Sequence, residues 1–213
     1  IVALLVLEKG IIMDKAISNR IEMPLQNPIE RIKNFQEVAL GYTVDMAKEE
    51  AARCLQCKKR PCVTGCPVGI NIPGFIKAIS DDDMVQAVAV IKSDNILPGI
   101  CGRVCPQETQ CEKHCVLSKK GSPVAIGRLE RFTADWERLN IKSSLEATKR
   151  KPEDKSVAVV GSGPAGLTAA ADLARMGYSV TVVDALHTTG GVLRYGIPDF
   201  RLPSSIIDEE VEK

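Results

Sequence analysis

With 213 residues, 45% of them hydrophobic, the chain is long enough for one large domain or two small ones with buried cores. A net charge of +1 and only 4% aromatic residues argue against a nucleic-acid or anionic-membrane surface. No run reaches the ~18 apolar residues of a membrane span.

The opening IVALLVL has no leading positive charge and no small-residue cleavage site, so it does not read as a signal peptide. It reads as a short strand or as a stretch upstream of Met13, and residues 1–26 as an N-terminal extension of a cytoplasmic protein. After Pro28, residues Ile29, Ile32, Phe35 and Val38 recur at helical spacing. Thr43 is placed to cap a helix over VDMAKEEAARCL that delivers Cys54 at its end. Further helices are expected over 73–80, over 82–91, where Asp81, Asp82 and Asp83 form an acidic start, and after Pro123. The last carries Ile126, Leu129, Trp136 and Leu139 on one face. No strand pattern precedes residue 150. Residues 141–154 are polar, without apolar periodicity, and read as a linker. The texture then changes to a β-branched strand at 156–160, a glycine turn, a small-residue helix ending at Gly177, and a second strand at 178–184. That order opens a parallel α/β domain, here 155–213, after a helical domain over 27–140.

All eight cysteines lie between 54 and 115. The first four, Cys54, Cys57, Cys62 and Cys66, follow C-x2-C-x4-C-x3-C-P. Cys101 and Cys105 form C-x3-C-P, and Cys111 and Cys115 are again three residues apart. Disulfide frameworks belong to small secreted domains, and nothing here signals secretion. Structural zinc sites usually pair two separated short knuckles. Closely spaced thiols with a proline after the last are nearer the ferredoxin style, and two four-iron clusters need about eight ligands. By analogy with two-cluster ferredoxins, Cys54, Cys57 and Cys62 share one cluster and Cys66 reaches to the other. A zinc-stabilised helical docking module is the reading of a different class. Lys58, Lys59 and Arg60 read either as a docking patch for an acidic partner or as a solvated loop, and His114 as a solvated histidine.

Gly161, Gly163 and Gly166, with Pro164 and Ala165 between them, match G-x-G-x-x-G after a strand and before a helix, and Asp184 ends the next strand. That context is the one a dinucleotide site requires. Gly161 permits the turn, Gly163 lets a pyrophosphate approach the backbone, and Gly166 lets helix and strand pack closely. The helix N-terminus favours phosphate, and Asp184 can accept from a ribose. The motif alone does not separate FAD from NAD(P). No nucleophile with a placed histidine supports hydrolysis.

Together CLQC…PC…GCP, SDNILPGICGRVCPQETQCEKHC and GSGPAGL…GGVLRYGIPDFRLP resemble the small (beta) subunit of NADPH-dependent glutamate synthase. They are also similar to the large subunit of NADH-dependent ferredoxin:NADP oxidoreductase and to the N-terminal half of dihydropyrimidine dehydrogenase. The likeness runs from about Asn27 to the last residue. It implies an α-helical two-cluster ferredoxin-like domain followed by the start of a Rossmann-like FAD domain, with two [4Fe-4S] clusters, FAD, and NADPH bound in a part absent from this chain. Carried over by position, it implies one cluster on Cys54, Cys57, Cys62 and Cys115. It implies the other on Cys66, Cys105, Cys111 and Glu130, with Cys101 a non-ligand; a count of thiols alone makes all eight ligands. FAD would lie on Gly161, Gly163, Gly166 and Asp184, with Gly190, Gly191, Arg194 and Tyr195 near its pyrophosphate and ring. The family usually has Glu where this chain has Asp184. Its members are about twice this long, so the chain reads as a fragment with an incomplete flavin site, inactive alone. The implied partner is the large glutamate synthase subunit or another flavin or iron–sulfur protein. A bifurcating ferredoxin:NADP oxidoreductase is the reading within the same class.

Overall fold

A computed structural model describes residues 19–141 and 155–212. The expectations for residues 1–18 and 142–154 lie outside the described residues. The chain divides into two compact units: residues 19–24 with 40–139, and residues 25–39 with 140–141 and 155–212. Residues 27–39, expected in the helical domain, group by compactness with the second unit.

Helix α1, Pro28–Arg31, starts where Asn27 accepts from Ile29 N and is only four residues long. The expected longer helix does not form, and Ile29, Ile32 and Phe35 are exposed. Asn34 explains the early stop, because its side-chain amide donates to Glu30 O at 2.9 Å and its Oδ1 accepts from Gln36 N at 2.9 Å. Such local side-chain bonds compete with helix propagation.

The first unit is helical. α2, Val44–Ala52, is capped by Thr43, which accepts from Met46 N, and Cys54 follows its C-terminus. After α3, Pro61–Thr64, come α4, Ile72–Ser80, capped by Asn71, and α5, Met84–Lys92, capped by Asp83. Asp81 and Asp82 pair with Lys77 and Lys48, so the acidic run is a cap and two surface ion pairs. α6, Pro98–Val104, is followed by 3₁₀ turns at Gln107–Thr109 and Val116–Lys119, and α7, Ile126–Asn140, closes the unit. α4 packs against α2 and α5. Phe75, Ile72, Ile76, Ile79, Ile91 and Leu129 are almost wholly buried, each side chain worth about 1.5–3 kcal/mol. Trp136 packs at the edge of this core, while Leu139, expected on the same face, lies exposed in the last turn of α7.

A buried polar knot ties the helices to the chain around them. The Glu50 carboxylate, on α2 and fully buried, accepts from Ile21 N at 2.7 Å, Ala125 N at 2.8 Å and Arg53 Nη1 at 2.6 Å. Arg53 continues to Ser122 O and Pro123 O. Gly102 lets α6 approach α7 closely, since a Cβ there would lie 2.5 Å from Arg131 N. Arg103, next to it, forks onto Asp135 at 2.8 and 2.9 Å.

In the second unit β1, Ser156–Val160, and β2, Ser179–Val183, pair in parallel, with Ser156 opposite Ser179. α8, Pro164–Arg175, crosses between them, and Gly177 at φ +99 turns the chain into β2. α9, Val192–Tyr195, and α10, Ser204–Glu212, bury Leu193, Leu202, Ile206 and Ile207. Val38 N donates to Phe200 O at 2.9 Å, which joins residues 25–39 to this unit. Among the described residues, no helix is long and apolar enough to cross a membrane.

Removing the Glu50 carboxylate leaves Arg53 and two backbone donors without their acceptor. Glu50→Ala is therefore expected to cost about 3–5 kcal/mol, read as a lower denaturant midpoint of the helical unit. A loss under about 1 kcal/mol would contradict the knot's role.

Candidate functional site

The cysteines are set in place by loops that the helices hold. Cys54 and Cys57 follow α2 in a loop where Gln56 and Arg60 adopt positive φ. Gln56 Nε2 spans from Cys54 Sγ at 3.5 Å to Pro73 O at 3.1 Å, fixing this loop to α4. Cys62 lies on α3 and Cys66 just beyond it. Gly65 brings this loop against the 110–115 loop, since a Cβ there would lie 2.4 Å from His114 Cδ2 and 3.0 Å from Gln110 O. His114 is thus an exposed histidine packed on that glycine.

Cys54, Cys57, Cys62 and Cys115 line a single pocket that opens partly to solvent. Its other walls are apolar, among them Ile72, Ile76, Leu117, Val124 and Ile126. Desolvation raises the Cys54 thiol to about 11, helped by the charges of Cys62, Cys115 and Cys57. Burial raises Cys57 and Cys62 too, and Cys115 adds to both.

A second group forms where α6 meets α7. Glu130 is a buried carboxylate on α7, and Asn95 Nδ2 donates to its Oε1 at 2.8 Å. Burial raises Cys105 to about 11, followed by the charges of Glu130 and Cys66. Burial likewise raises Cys111, which feels Glu112, Glu130, Cys66 and Cys105. Glu130 and Cys66 thus lie within electrostatic reach of both Cys105 and Cys111. Cys101 is half-buried, and its Sγ faces Asn95 Oδ1 at 3.8 Å. Among the described residues no three His, Cys, Asp or Glu side chains converge on one metal-ion position. The first four thiols instead form the wall of a pocket. Four soft donors in an apolar pocket fit an iron–sulfur group there. Its binding would displace the thiol protons that burial holds on. Lys58, Lys59 and Arg60 are exposed beside the first set.

The glycine turn has the form of a phosphate cradle. Gly161 sits at φ +99, and a Cβ on Gly163 would meet nothing within 4 Å, leaving open space at the N-terminus of α8. A Cβ on Gly166 would lie 1.9 Å from Gly161 O, so helix and turn meet only through glycine. Pro164 takes the first helical position and Ala165 the next. Gly191, at φ +50, closes on Gly163, and Gly190 N donates to Ser162 O at 3.1 Å. Asp184 accepts from Ser162 N at 2.6 Å, from the Ser162 hydroxyl, and from Leu186 N at 2.8 Å. These bonds, the Ser162 hydroxyl foremost, hold its carboxyl down to about 2. Arg194 pairs with Asp208 and donates to Thr189 O at 2.9 Å, and the Tyr195 hydroxyl lies 2.7 Å from Thr188 Oγ1. The open, glycine-lined approach fits a dinucleotide phosphate. Asn95 and Ser162 escaped the sequence reading; only their neighbours, a cysteine run and a glycine motif, marked their places.

Residues 31–141 match the family described as dihydropyrimidine dehydrogenase domain II, 4Fe-4S cluster. The chain belongs to that family. Residues 159–203 match the NAD(P)-binding Rossmann-like domain. A dihydropyrimidine dehydrogenase subunit PreT homolog of Salmonella typhi, named as NAD-dependent, is 38% identical over 90% of this chain and 44% of its own length. The glutamate synthase [NADPH] small chain of Azospirillum brasilense is 38% identical over 89% of this chain and 40% of its own. That of Halomonas elongata is 35% identical over 84% and 38%. The chain thus spans less than half the length of these relatives. Its fold is the helical 4Fe-4S domain followed by a short Rossmann-like region with a small parallel sheet.

Because the Asp184 pKa is depressed, its bonds to Ser162 stabilise the folded chain above the ordinary carboxylate range and are lost as pH falls through about 2. Carbon-detected NMR of the side chain is expected to give a midpoint near that value. Ser162→Ala should move it up toward ~3.9; an unmoved midpoint would contradict the assigned cause.

Proposed function

We propose that the chain is the electron-transfer portion of an NAD(P)-dependent oxidoreductase subunit. Cys54, Cys57, Cys62 and Cys115 hold one [4Fe-4S] cluster, and Cys66, Cys105, Cys111 and Glu130 hold the other. FAD is the dinucleotide on the glycine turn, with NADPH bound by a part of the longer protein not in this chain. The observation that supports the reading most is the apolar pocket lined by Cys54, Cys57, Cys62 and Cys115. When bound, FAD exchanges hydride with the nicotinamide and the clusters carry single electrons between it and a partner protein.

The chain's own residues bind, orient and exclude water. Gly161, Gly163 and Gly166 give the phosphates close access to backbone, and α8 favours their charge. Asp184, held ionised by Ser162, is the ribose acceptor. Gly190 and Gly191 close the turn from the other side, and Arg194, tied to Asp208, supports that loop. Ile72, Ile76, Val124 and Ile126 keep water from the first cluster and so set its potential together with the ligands. The partner is a flavin or iron–sulfur subunit. Relatives named glutamate synthase small chain support the large glutamate synthase subunit in that role. Relatives named PreT, equally similar, support a dihydropyrimidine dehydrogenase partner as the second reading.

Anaerobically reconstituted chain is expected to bind about eight irons with matching sulfide and no zinc, and to show two reduced-cluster EPR signals. Glu130→Cys should alter one redox transition and spare the other. Zinc without iron after reconstitution, or equal effects of Glu130→Cys on both transitions, would overturn the reading.

A further inference from the structure

Asn95 lies in the turn between α5 and α6 and is 5% exposed. Its Oδ1 accepts from Leu97 N at 3.0 Å. An amide offers oxygen on one side and NH2 on the other, so this bond decides its orientation and turns the NH2 group toward Glu130. The resulting bond, Nδ2 to Glu130 Oε1 at 2.8 Å, joins two buried side chains 35 residues apart in the chain. Cys101 Sγ sits on the oxygen side at 3.8 Å, where a thiol is a weak donor, which reinforces the same orientation. Gln107 Nε2 in turn donates to Cys101 O at 3.0 Å, holding that thiol's backbone in place. The Glu130 carboxylate so held is the one whose charge reaches Cys105 and Cys111.

We propose that Asn95 is a positioning residue for the second cluster site, orienting the Glu130 carboxylate toward Cys66, Cys105 and Cys111. The proposal rests on Glu130 being a ligand, as inferred above. A carboxylate that accepts a hydrogen bond from Asn95 donates less charge to iron, which makes that cluster easier to reduce. Asn95 thus tunes one cluster through Glu130 and has no route to the set of Cys54, Cys57, Cys62 and Cys115.

The test uses the full chain, reconstituted anaerobically with iron and sulfide and titrated against potential with EPR detection. Asn95→Asp keeps an oxygen for Leu97 N and nearly the same shape, but replaces the donor facing Glu130 with an acceptor. At the wild-type midpoint of the affected cluster, the reduced-to-oxidised ratio should fall about tenfold, ~59 mV for one electron. The other cluster should not move, and the shift should vanish in a Glu130→Cys background. A shift shared by both clusters, no shift, or a shift that persists in that background would overturn the positioning role. If Asn95→Asp loads only one cluster, restored loading in the double variant with Glu130→Cys supports the proposal and continued loss overturns it. If Glu130→Cys alone leaves both midpoints and both signals unchanged, Glu130 is no ligand, and the failure lies in the reading beneath.

Discussion

The Glu50 carboxylate is the point on which the helical unit depends. It is fully buried and satisfied by donors from three places: the 19–24 segment, its own helix and the 122–125 loop. Cys54 leaves α2 just beyond it, and the 122–126 segment supplies Val124 and Ile126 to the pocket wall before α7 carries on to Glu130. A buried charge with fixed partners adds little to stability over an apolar replacement, but it allows one arrangement of its neighbours. Here that arrangement sets the distance between the start of the first cysteine loop and α7, which bears Glu130.

Two close approaches finish the work. Gly65 against His114 joins the loops of 54–66 and 110–115, and Gly102 against Arg131 joins α6 to α7. Both occur where a side chain would force segments apart, and both lie next to ligand candidates. Cys62 lines the pocket that Cys115 also lines, while Cys66, four residues on, adds its charge to Cys105 and Cys111. In the proposed division a short loop would serve two clusters and keep them near each other, as electron transfer between them needs.

Much of the local structure was legible. Thr43 and Asp83 cap as side chains of their type do, and Gly161, Gly166 and Asp184 stand in the strand–turn–helix–strand order that their spacing implies. What was not legible depends on contacts distant in sequence. Helical spacing of Ile29, Ile32 and Phe35 counted for nothing once Asn34 and Gln26 closed the backbone of 25–39 on itself. Leu139 fits the apolar period of α7 but falls past the end of the core. Thiol spacing assigned Cys66 to a second group but not the places of Cys105, Cys111 and Cys115, because it says nothing of the Gly65 and Gly102 contacts. Asn95 and Ser162 carried no signal, since their importance comes from what the fold sets opposite them.

The proposed division puts Cys62 and Cys66 on different clusters. The most direct measurement is the EPR spectrum of reduced, reconstituted Cys62→Ala beside that of Cys66→Ala. Each variant should keep one cluster signal, and the two residual signals should differ and together resemble the unmodified chain. The same residual signal from both variants would place the two thiols on one cluster and contradict the division of the site.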